Sequence, residues 1–140
     1  FTVTQALPVA NAAGTSTNVV TVEAKDDENN VTGDTATATV TYADVLPTVD
    51  ITKSASPATI SEGGVGVQSV TYSYTVTNTS PASTDPVTIT GLADDKAGNL
   101  LAAFMAANGG SNVLGVGASV TFTVIQAPPA GEPTPATPGA

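Results

Sequence analysis

Short segments in which apolar and hydroxyl-bearing residues alternate constrain the fold of this chain most. Residues 34–42 and 68–78 are the clearest, because Ala, Val or Tyr occupies every second position from 36 to 42 and from 70 to 76, and Thr or Ser lies between them. Successive side chains of a strand point to opposite faces, so this period of two predicts strands with one dry face. In the first segment, the side chains predicted to point inward are Ala36, Ala38, Val40 and Tyr42.

Weaker versions of the pattern predict the remaining elements. Strands are expected at residues 18–25, 86–91 and 118–126, and at 48–53 with 57–60 as one strand kinked at Pro57. Residues 1–5 are expected to be a strand end, and 100–107 one or two helical turns. Short alternating strands between Gly- and Pro-containing turns predict an all-β immunoglobulin-like β-sandwich of roughly seven strands.

A repeated segment indicates that the natural unit is longer than one copy. Residues 1–8, Phe-Thr-Val-Thr-Gln-Ala-Leu-Pro, return at 122–129 as Phe-Thr-Val-Ile-Gln-Ala-Pro-Pro. Self-similarity at a long fixed period is typical of tandem arrays. The chain is therefore expected to be one period of an array, cut inside a repeat unit.

The short connection between the two sets of strands predicts a split sandwich. From Tyr42 to Thr48 the chain can reach only roughly 20 Å, whereas a strand of eight to ten residues is about 26–33 Å long. Residues 1–43 are therefore predicted to be the C-terminal strands of one repeat, 44–47 a link, 48–126 the N-terminal strands of the next, and 127–140 a Pro-rich loop or linker. Neighbouring copies would complete each half, either as one continuous chain or as separate subunits that exchange strands.

Composition disfavours several functional classes. The net charge is −9, with three Lys, no Arg and no His. Nucleic acid and anionic membrane surfaces both need clustered basic residues, so neither is an expected partner. The absence of His and Cys removes the commonest general base and the thiol nucleophile, and the carboxylates form no evident acid/base pair, so no enzyme is predicted. No segment is predicted to insert into a membrane.

Several motifs resemble one known family. Val-Asp-Ile-Thr-Lys-Ser-Ala-Ser-Pro at 49–57, Glu-Gly-Gly at 62–64 and the 70–79 strand resemble the tandem repeat called domain of unknown function eleven, found on large bacterial and archaeal surface proteins. Residues 117–124 resemble its later strand, and 18–27 followed by 34–40 its closing hairpin. The resemblance implies extracellular arrays of immunoglobulin-like sandwiches without catalytic residues. The prolines of 127–138 and the helix-prone 100–107 depart from it.

The predicted function is accordingly a structural module of an extracellular stalk, fibre or filament, with neighbouring copies of the same repeat as partners. The alternative is an adhesin-type domain that recognises glycan or protein through its loops. The absence of Trp favours the stalk, because glycan sites usually contain clustered aromatic residues. A third hypothesis, an accessory domain of an enzyme, would require a catalytic domain elsewhere on the parent chain.

An acidic turn is the best candidate for a cofactor, which would be calcium. Its members are Asp26, Asp27, Glu28 and Asn29, with Asp34 nearby. Ca²⁺ takes six to eight oxygen ligands, and this turn offers several. It lacks EF-hand spacing, so the alternative is a solvated hairpin turn held by local hydrogen bonds.

A second acidic cluster and one strand lysine each have a functional and a simpler structural interpretation. Asp94 and Asp95 with Asn99 form a weaker acidic cluster that is typical of a turn. Lys53 shares a strand face with Val49 and Ile51, which raises an intramolecular Lys–Asn isopeptide bond as a hypothesis. The alternative is that Lys53 reaches water from the strand end.

Two sites match the N-glycosylation pattern. They are Asn30, followed by Val and Thr, and Asn78, followed by Thr and Ser. The pattern is common by chance, so unmodified asparagines are the alternative.

Overall fold

A computed structural model describes residues 1–66 and 68–127, and in them the protein is all-β with several antiparallel sheets. The chain divides into two compact units, Phe1–Val45 and the part from Leu46 onward.

The first unit is a long hairpin. Strand β1 (Gly14–Lys25) pairs antiparallel with β2 (Val31–Tyr42), and the register is continuous from Gly14 opposite Tyr42 to Lys25 opposite Val31. Gly33 is required in β2 because a Cβ there would lie 2.8 Å from the carbonyl oxygen of Val22. The chain reverses at residues 26–30, where Asn29 adopts a φ of 67°, a left-handed conformation that Asn tolerates better than most residues.

The register sorts the hairpin side chains onto two faces. Directly opposite residues share a face, so Val20 lies with Ala36, and Ser16 with Val40. One face therefore contains most of the apolar residues of both strands, and the other is rich in Thr but also includes Val19 and Val31. Thr17 and Thr39 hydrogen-bond to each other on the Thr face, with 3.1 Å between their hydroxyl oxygens.

The second unit is built around a three-stranded sheet. The central strand, β4 (Val70–Asn78), pairs antiparallel with β3 (Val49–Ser56) on one side and β9 (Ser119–Gln126) on the other. Val49 lies opposite Asn78 in β4, and Gln126 lies opposite Val70. Two short two-stranded sheets complete the strands of this unit: β5 (Val87–Thr88) pairs with β8 (Val113–Leu114), and β6 (Ala93–Asp94) pairs with β7 (Gly98–Asn99). The unit also contains a 3-10 turn (Glu62–Gly64) and one helix, α1 (Leu101–Ala107).

The core of the second unit lies on one face of β4 and β9. Tyr74 stacks on Phe122, with 5.2 Å between ring centroids, and Phe104 of α1 meets Phe122 edge-on at 6.4 Å. The buried apolar set is Tyr74, Val76, Ile89, Leu100, Phe104, Leu114, Val120 and Phe122. The opposite face is hydrophilic, and Thr75 hydrogen-bonds to Thr121 and Thr77 to Ser119 across the strands.

The structure confirms some sequence predictions and corrects others. The helix predicted at 100–107 is α1, and the alternating segment 68–78 contains β4. The strand predicted at 57–60 is wrong, because β3 ends at Ser56 and Pro57 has no N–H to donate to a ladder. Residues 1–5 are not in a strand either, although 122–126 belong to β9, where β4 is their ladder partner.

The inward orientation predicted for the β2 side chains is also wrong within this chain. Ala36, Ala38 and Val40 do share one face, but all three are exposed, because no second sheet of the first unit lies over the hairpin.

Candidate functional site

The largest unexplained feature of the first unit is its exposed apolar face. An isolated two-stranded hairpin is at best marginally stable in water, and an apolar face needs another layer to cover it. Within residues 1–45, only Gln5 and Pro8 are hydrogen-bonded to this face, at Asn18 and Tyr42, and its valines remain more than half exposed. The apolar side chains of this face, called the apolar hairpin face below, are Val20, Val22, Ala24, Ala36, Ala38 and Val40. Polar residues lie among them, and one is charged: Asp34, which is opposite Val22 near the turn. The face is therefore a candidate contact surface.

The second unit has an uncovered face as well. Val49 and Ile51 of β3 lie opposite Asn78 and Val76 of β4, so they are on the core side of the sheet. Val76 is buried, whereas Val49 and Ile51 are more than half exposed. The core layer therefore covers β4 and β9 but leaves this part of β3 open. Both units thus expose apolar side chains on a face that should be dry.

A polar cluster lies on the same side of the sheet, farther along β3. The Lys53 ammonium contacts Asp94 Oδ2 at 2.6 Å, and the Tyr74 hydroxyl donates to the same oxygen at 2.6 Å. The ammonium also lies over the Tyr72 ring, 4.6 Å from its centroid, where a cation–π attraction adds to the ion pair. The other oxygen of Asp94 accepts the N–H groups of Lys96 and Ala97.

These contacts shift the pKa values of all three groups. Hydrogen bonding from Lys53, and then from Tyr74, holds the pKa of Asp94 well below its usual range. The hydrogen bond to Asp94 raises the pKa of Lys53. Burial, and then its bond to Asp94, raises the pKa of Tyr74. The cluster is therefore a carboxylate, an ammonium and a neutral phenol at pH 7.

This charge state bears on the isopeptide hypothesis. Amide formation between Lys53 and Asp94 would require a neutral amine and a protonated acid, and their contact favours the opposite state of each. The geometry supports an ion pair that ties β3 to the β6–β7 hairpin. Sequence reasoning placed Lys53 on the correct face but missed its partner, which is 41 positions away in the sequence.

Asn78 has a structural role that the sequence analysis missed. Its side chain is fully buried, its Nδ2 donates to the carbonyls of Asp85 and Leu114 at 3.0 and 2.9 Å, and its Oδ1 accepts the Ser80 N–H at 3.0 Å. A glycan on this nitrogen would have to replace both donated bonds and open the core. The structure therefore argues against glycosylation at Asn78 in the folded unit.

The acidic turn brings together three of the five predicted metal ligands. Carboxylate oxygens of Asp26, Asp27 and Glu28 lie within 4.8 Å of one another, and all three side chains are exposed. Asp26 is already engaged, since Oδ1 accepts the N–H groups of Glu28 and Asn30, and Oδ2 accepts the Asn30 side-chain amide.

These bonds, that from the Asn30 side chain foremost, lower the pKa of Asp26. Asp34 is on β2, where its Oδ1 accepts the N–H of Thr35. The arrangement favours a hairpin turn held by Asp26, and calcium at this turn stays the untested alternative.

Asn30, the other glycosylation candidate, lies on the exposed turn of the hairpin. Its side-chain nitrogen donates to Asp26 Oδ2 at 2.8 Å, so modification would exchange one local bond in an open setting. Glycosylation there also stays a prediction.

Comparisons with protein-family models, curated proteins and solved structures find no match to this chain. Among the described residues, no helix is long and apolar enough to cross a membrane.

Proposed function

We propose that this protein is a structural repeat module of an extracellular stalk, fibre or filament, in which neighbouring copies complete each other's sandwich. One observation carries the proposal: two separate units expose apolar side chains on a face that should be dry. A chain that folded alone would normally cover such faces, because contiguous exposed apolar patches mark interaction sites.

The strand inventory supports an immunoglobulin-like sandwich shared between copies. Unit 2 supplies β3, β4, β5, β8 and β9, and the hairpin supplies β1 and β2. If the short β6–β7 hairpin of unit 2 is set aside as an insertion, these make the seven strands typical of such a domain. Among the described residues, β9 is the last strand of unit 2. The hairpin of unit 1 follows residues 1–5, which match part of the β9 sequence, so it has the position in an array that would close a preceding copy.

The surface chemistry is consistent with a module that does not catalyse a reaction. The outer sheet faces carry paired hydroxyls, and the Lys53–Asp94 ion pair, whose lysine is exposed, ties β3 to the β6–β7 hairpin. The extracellular setting is supported by the resemblance of residues 49–79 and 117–124 to surface-protein repeats.

The natural material tests this proposal directly. Antibodies against the purified chain should label the cell exterior, and the labelled material should be polymeric. An intact mass near 13.7 kDa would identify separate subunits, and a much larger mass a continuous array. Labelling confined to the cell interior would overturn the proposed function.

A further inference from the structure

The two uncovered faces have complementary places in a seven-strand sandwich. In that architecture two sheets pack face to face, about 10 Å apart, with the apolar residues of both between them. Unit 2 has the three-stranded sheet β3–β4–β9, and the core face of this sheet is packed by Leu114 of the two-stranded sheet β5–β8 and by Phe104 of α1. The second layer is thus too narrow, and Val49 and Ile51 are the core-side residues left exposed.

We infer that the hairpin of a second copy of this chain fills this gap. Its β1 adds beside the unpaired edge of β5, β2 lies beyond β1, and the apolar hairpin face covers Val49 and Ile51 of β3. The inference rests on the proposed sharing of sandwiches between copies and specifies which surfaces meet. A second copy is the occupant because the hairpin has a matching apolar face, and because residues 1–5, which precede it, match the start of the 122–126 segment of β9.

The size of the contact is adequate. A face of two 12-residue strands measures about 40 Å by about 10 Å, so covering it buries roughly 800 Å² when both partners are counted. Specific protein interfaces start at about 1,000–1,200 Å². Pairing of β1 with the β5 edge adds backbone surface and hydrogen bonds, which brings the total into that range.

Edge addition also accounts for the short β5. An unpaired strand edge presents backbone N–H and C=O groups that invite another strand. Only Val87 and Thr88 form β5, and within the described residues it pairs with β8 alone. A neighbouring β1 would satisfy the other edge.

Two charge substitutions separate the donor from the acceptor surface. Val20→Lys places a charge in the apolar hairpin face, and Ile51→Lys places one on β3, where the hairpin would lie. Each should weaken self-association of the full chain at least about 100-fold, because the desolvation cost of burying a charge can exceed what a nearby opposite charge, such as Asp34 on the hairpin face, returns. Matched controls have the same residue type on the opposite faces. Val19 is 60% exposed against 61% for Val20, and Ile125 is 72% exposed against 51% for Ile51.

The readout is the size distribution of the full chain by sedimentation velocity over a range of concentrations. The unmodified chain and the Val19→Lys and Ile125→Lys controls should form larger species, since each copy is both donor and acceptor. Val20→Lys and Ile51→Lys should each remain monomeric. A mixture of these two should form a 1:1 dimer and stop there, because one intact donor and one intact acceptor remain.

Three results would overturn the inference: an unmodified chain that is monomeric throughout, variants that assemble as well as their controls, or a mixture that forms no dimer. Circular dichroism of each variant establishes that the strands are retained. Assembly that ignores these substitutions would end the docking inference but leave the proposed function intact. Interior labelling of the natural material would end the proposed function whatever the docking experiment shows.

Discussion

Replacing Asn78 should destabilise unit 2 more than any other single polar change in its described part. The side chain is fully buried at the end of β4 and bonds three backbone groups, which belong to Ser80, Asp85 and Leu114. Asn78→Ala removes the side-chain partner of one N–H and two carbonyls. Each buried group left unsatisfied costs about 1–3 kcal/mol, so we expect a loss of at least about 3 kcal/mol in the free energy of unfolding.

That loss is large for a domain of this size. Domain stabilities are about 5–15 kcal/mol, and 1 kcal/mol shifts the melting temperature of a domain under 100 residues by roughly 4–8 °C. The melting temperature should therefore fall by at least roughly 12 °C. The assay is urea unfolding of the full chain, in which the near-ultraviolet circular dichroism of the tyrosines reports the fraction folded.

A control and a pH series make the interpretation specific. Asn108 also donates from its Nδ2 to two carbonyls, those of Ser111 and Val113, but it is partly exposed, so water can replace it. Asn108→Ala should cost no more than about 1 kcal/mol.

Asn78→Asp places a carboxylate against the carbonyls of Asp85 and Leu114, so the pKa of the introduced group should be raised in the folded state. The folded variant then binds more protons than the unfolded chain, and its stability should rise as pH falls from 7 toward 4. An Asn78→Ala loss within 1 kcal/mol of the unmodified chain, or an Asn78→Asp variant insensitive to pH, would refute this account.

Three other perturbations test separate parts of the structure. Phe104→Ala should cost about 3–5 kcal/mol in urea unfolding, because the ring is fully buried against Phe122 and its removal leaves a cavity; a loss under 1 kcal/mol would contradict that packing. Asp94→Asn should lower stability at pH 7. Because the folded-state pKa of Asp94 is depressed, the stability difference from the unmodified chain should shrink as pH falls below about 4, and a difference constant from pH 7 to 2 would exclude the ion pair. Calorimetric titration should show no saturable Ca²⁺ binding below about 1 mM, since local bonds engage both oxygens of Asp26; saturable heat that Asp27→Asn abolishes would establish calcium instead.

Alternation of side chains was sufficient to predict the long strands β1, β2, β3, β4 and β9, but not the two-residue strands β6, β7 and β8. The pattern located β4 and β9 closely, because the apolar side chains that alternate along these strands, such as Tyr74 and Phe122, are the ones buried in the core. It failed at residues 57–60, where Pro57 ends the ladder, and at 1–5, which match part of β9 in sequence but lack its ladder partner in their own unit. A segment with the alternating pattern becomes a strand only if another strand pairs with it, and the local sequence does not show whether such a partner is present.

The roles of the site residues also depend on partners that are distant in the sequence. Asn78 follows Val76 by two positions, so the alternation predicts that its side chain points inward, as those of Val70, Tyr72, Tyr74 and Val76 do. A polar residue at a predicted core position indicates a buried side chain with hydrogen-bond partners. The glycosylation pattern at the same position obscured this signal. The Lys53–Asp94 pair left no such signal, because Asp94 looks like any turn aspartate until the β6–β7 hairpin is folded over the sheet.

The register of the strands has a mechanical consequence. In unit 2 the chain joins the sheet at Val49, opposite Asn78, and leaves it at Gln126, opposite Val70, so tension along the strands loads both ladders in shear and their hydrogen bonds share the force. In the hairpin, Gly14 and Tyr42 lie side by side at one end, so the same tension would peel β1 from β2 one pair at a time. In a load-bearing fibre the hairpin is thus the element that yields first, and seating it against a neighbour would set the force at which the fibre extends.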